Sequence, residues 1–167
     1  MKVIVHYAMK INVLIAQLII MKAMKKKTII YYIPTIVMML VIFNFSAQNG
    51  QESGSLSDAI YYFVNGLIHF PLSKPLATFI IRKCAHMTEY GVFALTLLYG
   101  FKHTEKLKVS PYPLAVVCAF LYACSDEAHQ LLISGRAGQF RDVMIDTCGA
   151  LIFMLIAYII HRVRERS

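Results

Sequence analysis

The chain has 167 residues, of which 58% are hydrophobic and 16% charged, with a mean hydropathy of +0.59 and a formal charge of +8. A domain of this size must cover its surface with polar groups to stay in water, and this composition does not supply them, which excludes a soluble globular domain. The basic excess does not read as nucleic-acid binding either, because Lys and Arg sit at the ends of apolar runs instead of on a separate basic helix.

Residues 1–27 read as a basic N-terminal extension. The apolar run from Ile11 to Met21 is shorter than the roughly 20 residues that cross a bilayer core. Extending it back to Val3 takes in Lys10 and His6. Four lysines follow, and no small-residue cleavage pattern is present, which argues against a cleaved signal peptide. The extension is therefore expected to be cytoplasmic or interfacial. A fifth spanning helix, or a translation start at Met21 or Met24, are the alternatives. Residues 28–167 read as one four-helix membrane domain.

After Lys22, Lys25, Lys26 and Lys27, the segment from Thr28 to Phe45 carries no charge and reads as the first spanning helix. Pro34 is tolerable there as a kink, and Tyr31 and Tyr32 suit the headgroup level. Ser46 to Ser55 is polar and contains two glycines, so it reads as loop. From Ser57 to Phe70, Ile60, Tyr61, Val64, Leu67 and Ile68 fall near helical spacing, with Ser57 as a candidate cap. Asp58, Asn65 and His69 make this short helix interfacial instead of spanning. Pro71 and Pro75 break the helical pattern beyond it.

The second spanning segment covers about Phe79 to Phe101 and the third about Pro111 to Ile133, joined by a loop holding Lys102, His103, Glu105, Lys106 and Lys108. A loop from Ser134 to Phe140, with Arg136, leads to the fourth segment, about Arg141 to Ile160. Arg162, Arg164 and Arg166 come after it. Placing both termini and the 102–110 loop on one side gives that side twelve of the 17 Lys and Arg. Lys74, Arg82, Lys83, Arg136 and Arg141 fall on the other. The positive-inside rule then makes the first side cytoplasmic. The expected fold is an all-α integral membrane protein with four transmembrane helices and an extracytoplasmic amphipathic helix between the first and second.

This topology stacks polar residues at one level. Arg82, Lys83, His86 and Glu89 fall in the outer half of the second span. Asp126, Glu127, His129 and Gln130 fall in the outer half of the third, and Asp142 and Asp146 in that of the fourth. A charge at the bilayer centre costs about 2.5–3.5 kcal/mol on insertion scales and more in simulations, so such groups gather against each other, water or a polar ligand. His86 and Glu89 are i,i+3, as are Glu127 and Gln130. Asp142, Asp146 and Gly149 line one stripe, with Gly149 allowing a neighbouring helix to come close.

Glu89 and Glu127 are candidate general acids or bases, with His86 as another proton carrier. Lys83, Gln130, Arg136, Asp142 and Asp146 are candidate ligand-binding residues, and Lys83 with Arg136 suits an anionic headgroup. The competing reading is structural: Lys83, Arg136 or Arg141 would neutralise Glu89, Glu127 and Asp142 to fix helix packing. A metal site of His86, Glu89, Glu127 and His129 is an alternative, but His129 and Glu127, two residues apart, face different directions on a helix, so no metal is expected. Nor is a cofactor, since no P-loop or dinucleotide fingerprint is present. Cys84, Cys118, Cys124 and Cys148 form no CxxC pair and read as small buried hydrophobes.

These residues carry a resemblance. Phe45-Ser46-Ala47-Gln48 resembles a Phe-Ser-x-Gln element, and Lys83-Cys84-Ala85-His86-Met87-Thr88-Glu89-Tyr90 a Lys-x-x-His-x-x-Glu-Tyr signature, both found in the VanZ-like family of small bacterial membrane proteins. Asp126-Glu127 with Gln130 is similar to that family's Asp-Glu-x-x-Gln element. Arg136, Asp142 and Gly149 follow its Arg…Asp…Asn-x-x-Gly pattern, with Asp146 where Asn is usual. The resemblance covers about Ile29 to Ile160. It implies a multi-pass protein of the bacterial cell membrane acting at the cell envelope. The family's namesake is linked to lowered susceptibility to teicoplanin-type glycopeptide antibiotics.

Three functions emerge as expectations. The first is binding of, or action on, an envelope lipid or lipid-linked cell-wall precursor at the outer leaflet. The second is a non-enzymatic accessory or binding role. The third is a small transporter, which would need a homo-oligomer and a polar track that the inner halves of the helices lack.

Overall fold

The computed structural model describes residues 26–48, 50–68, 71–105, 107–133 and 138–167, with only the backbone course given for residues 26, 27, 50 and 52. The expectations for residues 1–25, for His69 and for Arg136 lie outside the described residues. Among those that are described, every ordered element is helical and there is no strand.

A short α1 (Lys26–Ile29) runs into a 3-10 turn (Ile30–Tyr32) and then α2 (Ile33–Ser46). Pro34 falls in the first turn of α2. A proline ring crowds the preceding turn and offers no N–H, so the chain tightens ahead of it and a fresh α-helix starts. The kink expected at Pro34 is a junction between helices.

α3 (Gly50–Ile68) begins well before Ser57, so most of the expected loop from Ser46 to Ser55 is helix. Ser57 is not its cap: the Ser57 hydroxyl donates to the Ser53 carbonyl at 3.1 Å, one turn back. Glycines at 50 and 54 weaken this helix by up to about 1 kcal/mol each, which packing on the next helix offsets. Lys74 Nζ secures the packing. It meets Asp58 Oδ2 at 2.8 Å and donates to the Tyr62 hydroxyl at 3.0 Å. The Asp58 carboxylate, and after it Tyr62, hold the Lys74 ammonium above its ordinary pKa.

α4 (Lys74–Lys102) and α5 (Pro111–Gln130) both open with a serine N-cap and proline in the first turn, the position where its missing N–H costs nothing. Pro75 thus starts a helix instead of breaking one. α6 (Phe140–Arg164) completes the set. α4 is central, packing on α6, α5, α3 and α2. Its Tyr90, Phe93, Ala94, Leu97 and Leu98 meet Ala115, Ala119 and Ala123 of α5 and Val143, Ala150 and Met154 of α6. Alanines four residues apart give α5 a smooth stripe that lets helices approach closely.

The outer faces stay apolar. Ile36 and Leu40 on α2, Val117 and Leu121 on α5, and Leu151, Leu155 and Ile159 on α6 are all exposed. α6 is long and apolar enough to cross a membrane, with a mean hydropathy of 2.3 over an 18-residue stretch. Residues Ile30–Ser46 form a shorter apolar helix.

The helix ends sort into two poles. At one, Tyr31 stacks on His103 with ring centres 4.2 Å apart, and the Tyr32 and Thr104 hydroxyls share a hydrogen bond of 2.8 Å. There too Lys102 Nζ lies 5.1 Å from the centre of the Tyr112 ring, which meets Tyr158 edge-on at 5.4 Å. The start of the first helix, the end of α4, the start of α5 and the end of α6 therefore stand together in a basic, aromatic pole. The opposite ends of α4, α5 and α6 form the polar site.

Candidate functional site

The site is built on one stripe of α4 facing one stripe of α6. Lys83, His86, Met87 and Tyr90 lie at i, i+3, i+4 and i+7, and Asp142, Asp146 and Gly149 at i, i+4 and i+7. The two stripes pair rung by rung. Lys83 Nζ meets Asp142 Oδ2 at 2.7 Å, and His86 Nδ1 stands 3.7 Å from Asp146 Oδ1. At the next rung a Cβ on Gly149 would collide with the backbone carbonyl of Met87. Bare backbone against backbone sets how close the helices run, and so where the acids of α6 face the bases of α4.

α5 supplies the third wall. Asp126, Glu127 and Gln130 are all buried, the two acids at 5% exposure each. Gln130 Nε2 donates to Asp126 Oδ2 at 3.2 Å, one turn apart. Glu127 Oε2 accepts the backbone N–H of Gln139, the N-cap of α6, at 2.8 Å. A carboxylate at that terminus satisfies an orphan donor and faces the positive end of the α6 dipole. Asp126, Glu127, Asp142 and Lys83 all act electrostatically on Asp146. Acids from two helices thus share one buried region.

Other expected residues fall around this centre. Glu89 is half-buried on α4, three residues beyond His86 and about 4.5 Å nearer the basic pole. The His129 ring stacks on Phe43 of α2 with centres 4.8 Å apart. Arg141 is exposed, its Nε 3.8 Å from Asp142 Oδ1. Lys83, expected to face an anionic headgroup, is committed to Asp142, so the described part of the site is rich in acid. Cys84 and Cys148 are exposed and Cys118 and Cys124 half-buried, all four as free thiols. The first two lie on the outer surfaces of their helices and are not the buried hydrophobes expected. Among the described residues no group of three or more His, Cys, Asp and Glu side chains is arranged to hold a metal ion.

Three contributions were missed. The sequence places Asp126 in the polar layer without a role, yet it is as deeply buried as Glu127 and continues the alanine stripe of α5 at i+3 from Ala123. The Gln139 N–H belongs to a loop and has no sequence signature. Tyr90 sits at i+4 from His86 and is 0% exposed. Its place on the stripe is readable from the spacing, but in the sequence it stands out only as the last residue of the Lys-x-x-His-x-x-Glu-Tyr signature. Among the described residues the Tyr90 hydroxyl, Asp142 Oδ1 and both Asp146 carboxylate oxygens have no hydrogen-bond partner.

Residues 30–161 match the model of the family described as VanZ/LLP1. The chain belongs to the VanZ-like family. The matched span runs from the 3-10 turn ahead of α2 almost to the end of α6 and includes every residue of the site. No curated protein and no solved structure matches it. Family membership together with the long apolar α6 marks this VanZ-like chain as a membrane protein.

Proposed function

We propose that this VanZ-like protein crosses the membrane four times, through the first helix, α4, α5 and α6, and binds the polar headgroup of an envelope lipid or lipid-linked cell-wall precursor at the outer leaflet. Several observations support the topology. The exposed residues of α2, α4, α5 and α6 are largely apolar, more than a water-soluble surface tolerates. α4 and α5 fall short of α6 in hydropathy because they carry Arg82, Lys83, His86 and Glu89, and Asp126, Glu127 and His129. Asp126 and Glu127 face the interior, so they lower the average without meeting lipid. Basic residues and aromatic rings gather at the opposite pole, as at a cytoplasmic headgroup level. α3 would lie in the outer interface, with Leu56, Phe63 and Leu67 exposed on it.

The observation that carries the function is the meeting of Lys83, His86, Asp126, Glu127, Asp142 and Asp146, from three helices, at one end of the bundle. Apolar packing would hold the helices without their desolvation cost. His86, Glu89 and Glu127 are the residues that would transfer protons if the bound molecule is turned over. A role in susceptibility to teicoplanin-type glycopeptides, which the family resemblance implies, belongs to this proposal.

The test compares the purified full chain with a Glu89→Gln, Glu127→Gln double variant on lipid-linked cell-wall precursor and on membrane phospholipids. Binding that weakens in the variant supports the proposal, and product formation lost with it adds catalysis. Equal binding and equal turnover in both proteins would overturn it.

A further inference from the structure

We propose that the site receives an ammonium group, seated against Asp146, Asp142 and the Tyr90 hydroxyl. This rests on the headgroup reading above and narrows it to headgroups that carry a primary amine. The amine has two possible sources, a phospholipid headgroup or the amino group of a lipid-linked peptide precursor, and the chemistry of recognition is the same for both.

The argument begins with the balance of donors and acceptors. Asp126, Glu127, Asp142 and Asp146 bring eight carboxylate oxygens to one buried region. The described donors are already assigned: Lys83 to Asp142, Gln130 to Asp126, and the Gln139 N–H to Glu127. His86 Nδ1, at 3.7 Å from Asp146, stands beyond hydrogen-bond reach. Among the described residues three carboxylate oxygens have no hydrogen-bond partner: Asp142 Oδ1, whose nearest described cation is the exposed Arg141 at 3.8 Å, Asp146 Oδ1 and Asp146 Oδ2. Asp146 is 1% exposed, so water at the protein surface does not satisfy it.

Tyr90 is an independent sign. It comes from the facing helix, one turn from His86, and is fully buried. Its hydroxyl has no hydrogen-bond partner among the described residues and lies within electrostatic range of Asp126 and Asp146. A buried hydroxyl left unmatched costs about 1–3 kcal/mol, so its retention there calls for a partner that enters.

The sign of the charge selects the ligand. A phosphate would add negative charge beside four carboxylates, which repels it. A neutral sugar would supply donors but no positive charge. An ammonium supplies both, with three N–H donors to share among oxygens that lack a hydrogen bond. Asp142 and Asp146, one helical turn apart, lie on the same face of α6. The Tyr90 oxygen accepts from the ammonium while its own proton turns to a carboxylate.

The test uses the full chain in lipid nanodiscs and native mass spectrometry of the lipid it retains. The probes are phosphatidylethanolamine against its N-acetylated form, and a lysine-containing lipid-linked pentapeptide precursor with its ε-amine free or acetylated. Acetylation removes the charge and leaves the rest of the molecule, so it needs no change in the protein. The free amine of one pair is expected to be retained at least about tenfold over its acetylated form, the value of a lost charge-assisted hydrogen bond. The pair that shows it names the source. Asp146→Asn and Tyr90→Phe should each cut that preference to below about threefold.

Equal retention of free and acetylated amines in the unaltered chain would overturn the inference, as would a preference that survives Asp146→Asn. If every headgroup is retained alike and the Glu89→Gln, Glu127→Gln variant loses them all, the headgroup reading stands and the ammonium falls. If no probe is retained, both fall.

Discussion

Gly149 of α6 lies against the backbone carbonyl of Met87 on α4, so closely that no side-chain carbon fits between them. One residue before Met87 is His86, and three before Gly149 is Asp146, so this contact is the floor on which the His86–Asp146 rung stands. Gly149→Ala should push the helices apart at a point where backbone, and not a flexible side chain, must give way. The expected loss is about 1–3 kcal/mol, read as a lower thermal midpoint in detergent. Gly54→Ala on α3 is the contrast. An added Cβ there meets nothing within 4 Å, so the variant should gain up to about 1 kcal/mol from better helix propensity.

The Lys83–Asp142 pair is mostly sheltered, at 14% and 22% side-chain exposure. Breaking one half of such a pair strands the other charge in a poor solvent. Lys83→Met and Asp142→Asn should each destabilise the protein, and the double variant should recover part of the loss. The coupling expected from a double-mutant cycle is about 0.5–3 kcal/mol. A coupling of zero would mean that the 2.7 Å contact carries no energy and that Lys83 serves something else.

Glu127 has a structural task that can be separated from any functional one. Its Oε2 caps the Gln139 N–H at the start of α6. Gln keeps a carbonyl oxygen for that bond, while Ala leaves the donor unmatched at a cost of about 1–2 kcal/mol. Unfolding should therefore rank Glu127→Gln close to the unaltered protein and Glu127→Ala below it. If headgroup binding falls in both variants alike while only Ala lowers stability, the carboxylate acts on the ligand. Binding that follows stability would confine Glu127 to the cap.

The helices were legible because apolar runs and polar breaks follow from what each environment excludes. Their ends were less so. The stretch Gln51-Glu52-Ser53-Gly54-Ser55 has the composition of a loop and forms helix, because packing on α4 outweighs weak local preference. Pro34, expected as a kink, and Pro75, expected as a break, both act as starts, since proline is harmless in a first turn. The stripe of Asp142, Asp146 and Gly149 was readable from spacing alone, because it lies within one helix. Which donor serves which acid was not. Glu127 takes a backbone N–H twelve residues away, a choice made by how α6 packs against α5, and Gln130 turns to Asp126 on its own helix. The sequence counts charges, whereas the folded chain also counts unmatched oxygens.

The proposed topology depends on the asymmetry of charge between the poles, and labelling decides it. In a background with Cys84, Cys118, Cys124 and Cys148 replaced by serine, single cysteines are introduced at Ser55, Lys108 and Arg166, all exposed sites. Lysines and arginines resist transfer across the membrane, so the pole holding the 102–110 loop and Arg162, Arg164 and Arg166 should stay inside. A membrane-impermeant maleimide should then label Ser55→Cys in intact cells, and label Lys108→Cys and Arg166→Cys only after permeabilisation. Labelling of Ser55→Cys and Lys108→Cys from the same side would remove the crossing by α4. Intact-cell labelling of Lys108→Cys with Ser55→Cys protected would invert the protein and turn Asp146 and its neighbours toward the cytoplasm, where an outer-leaflet headgroup does not reach them.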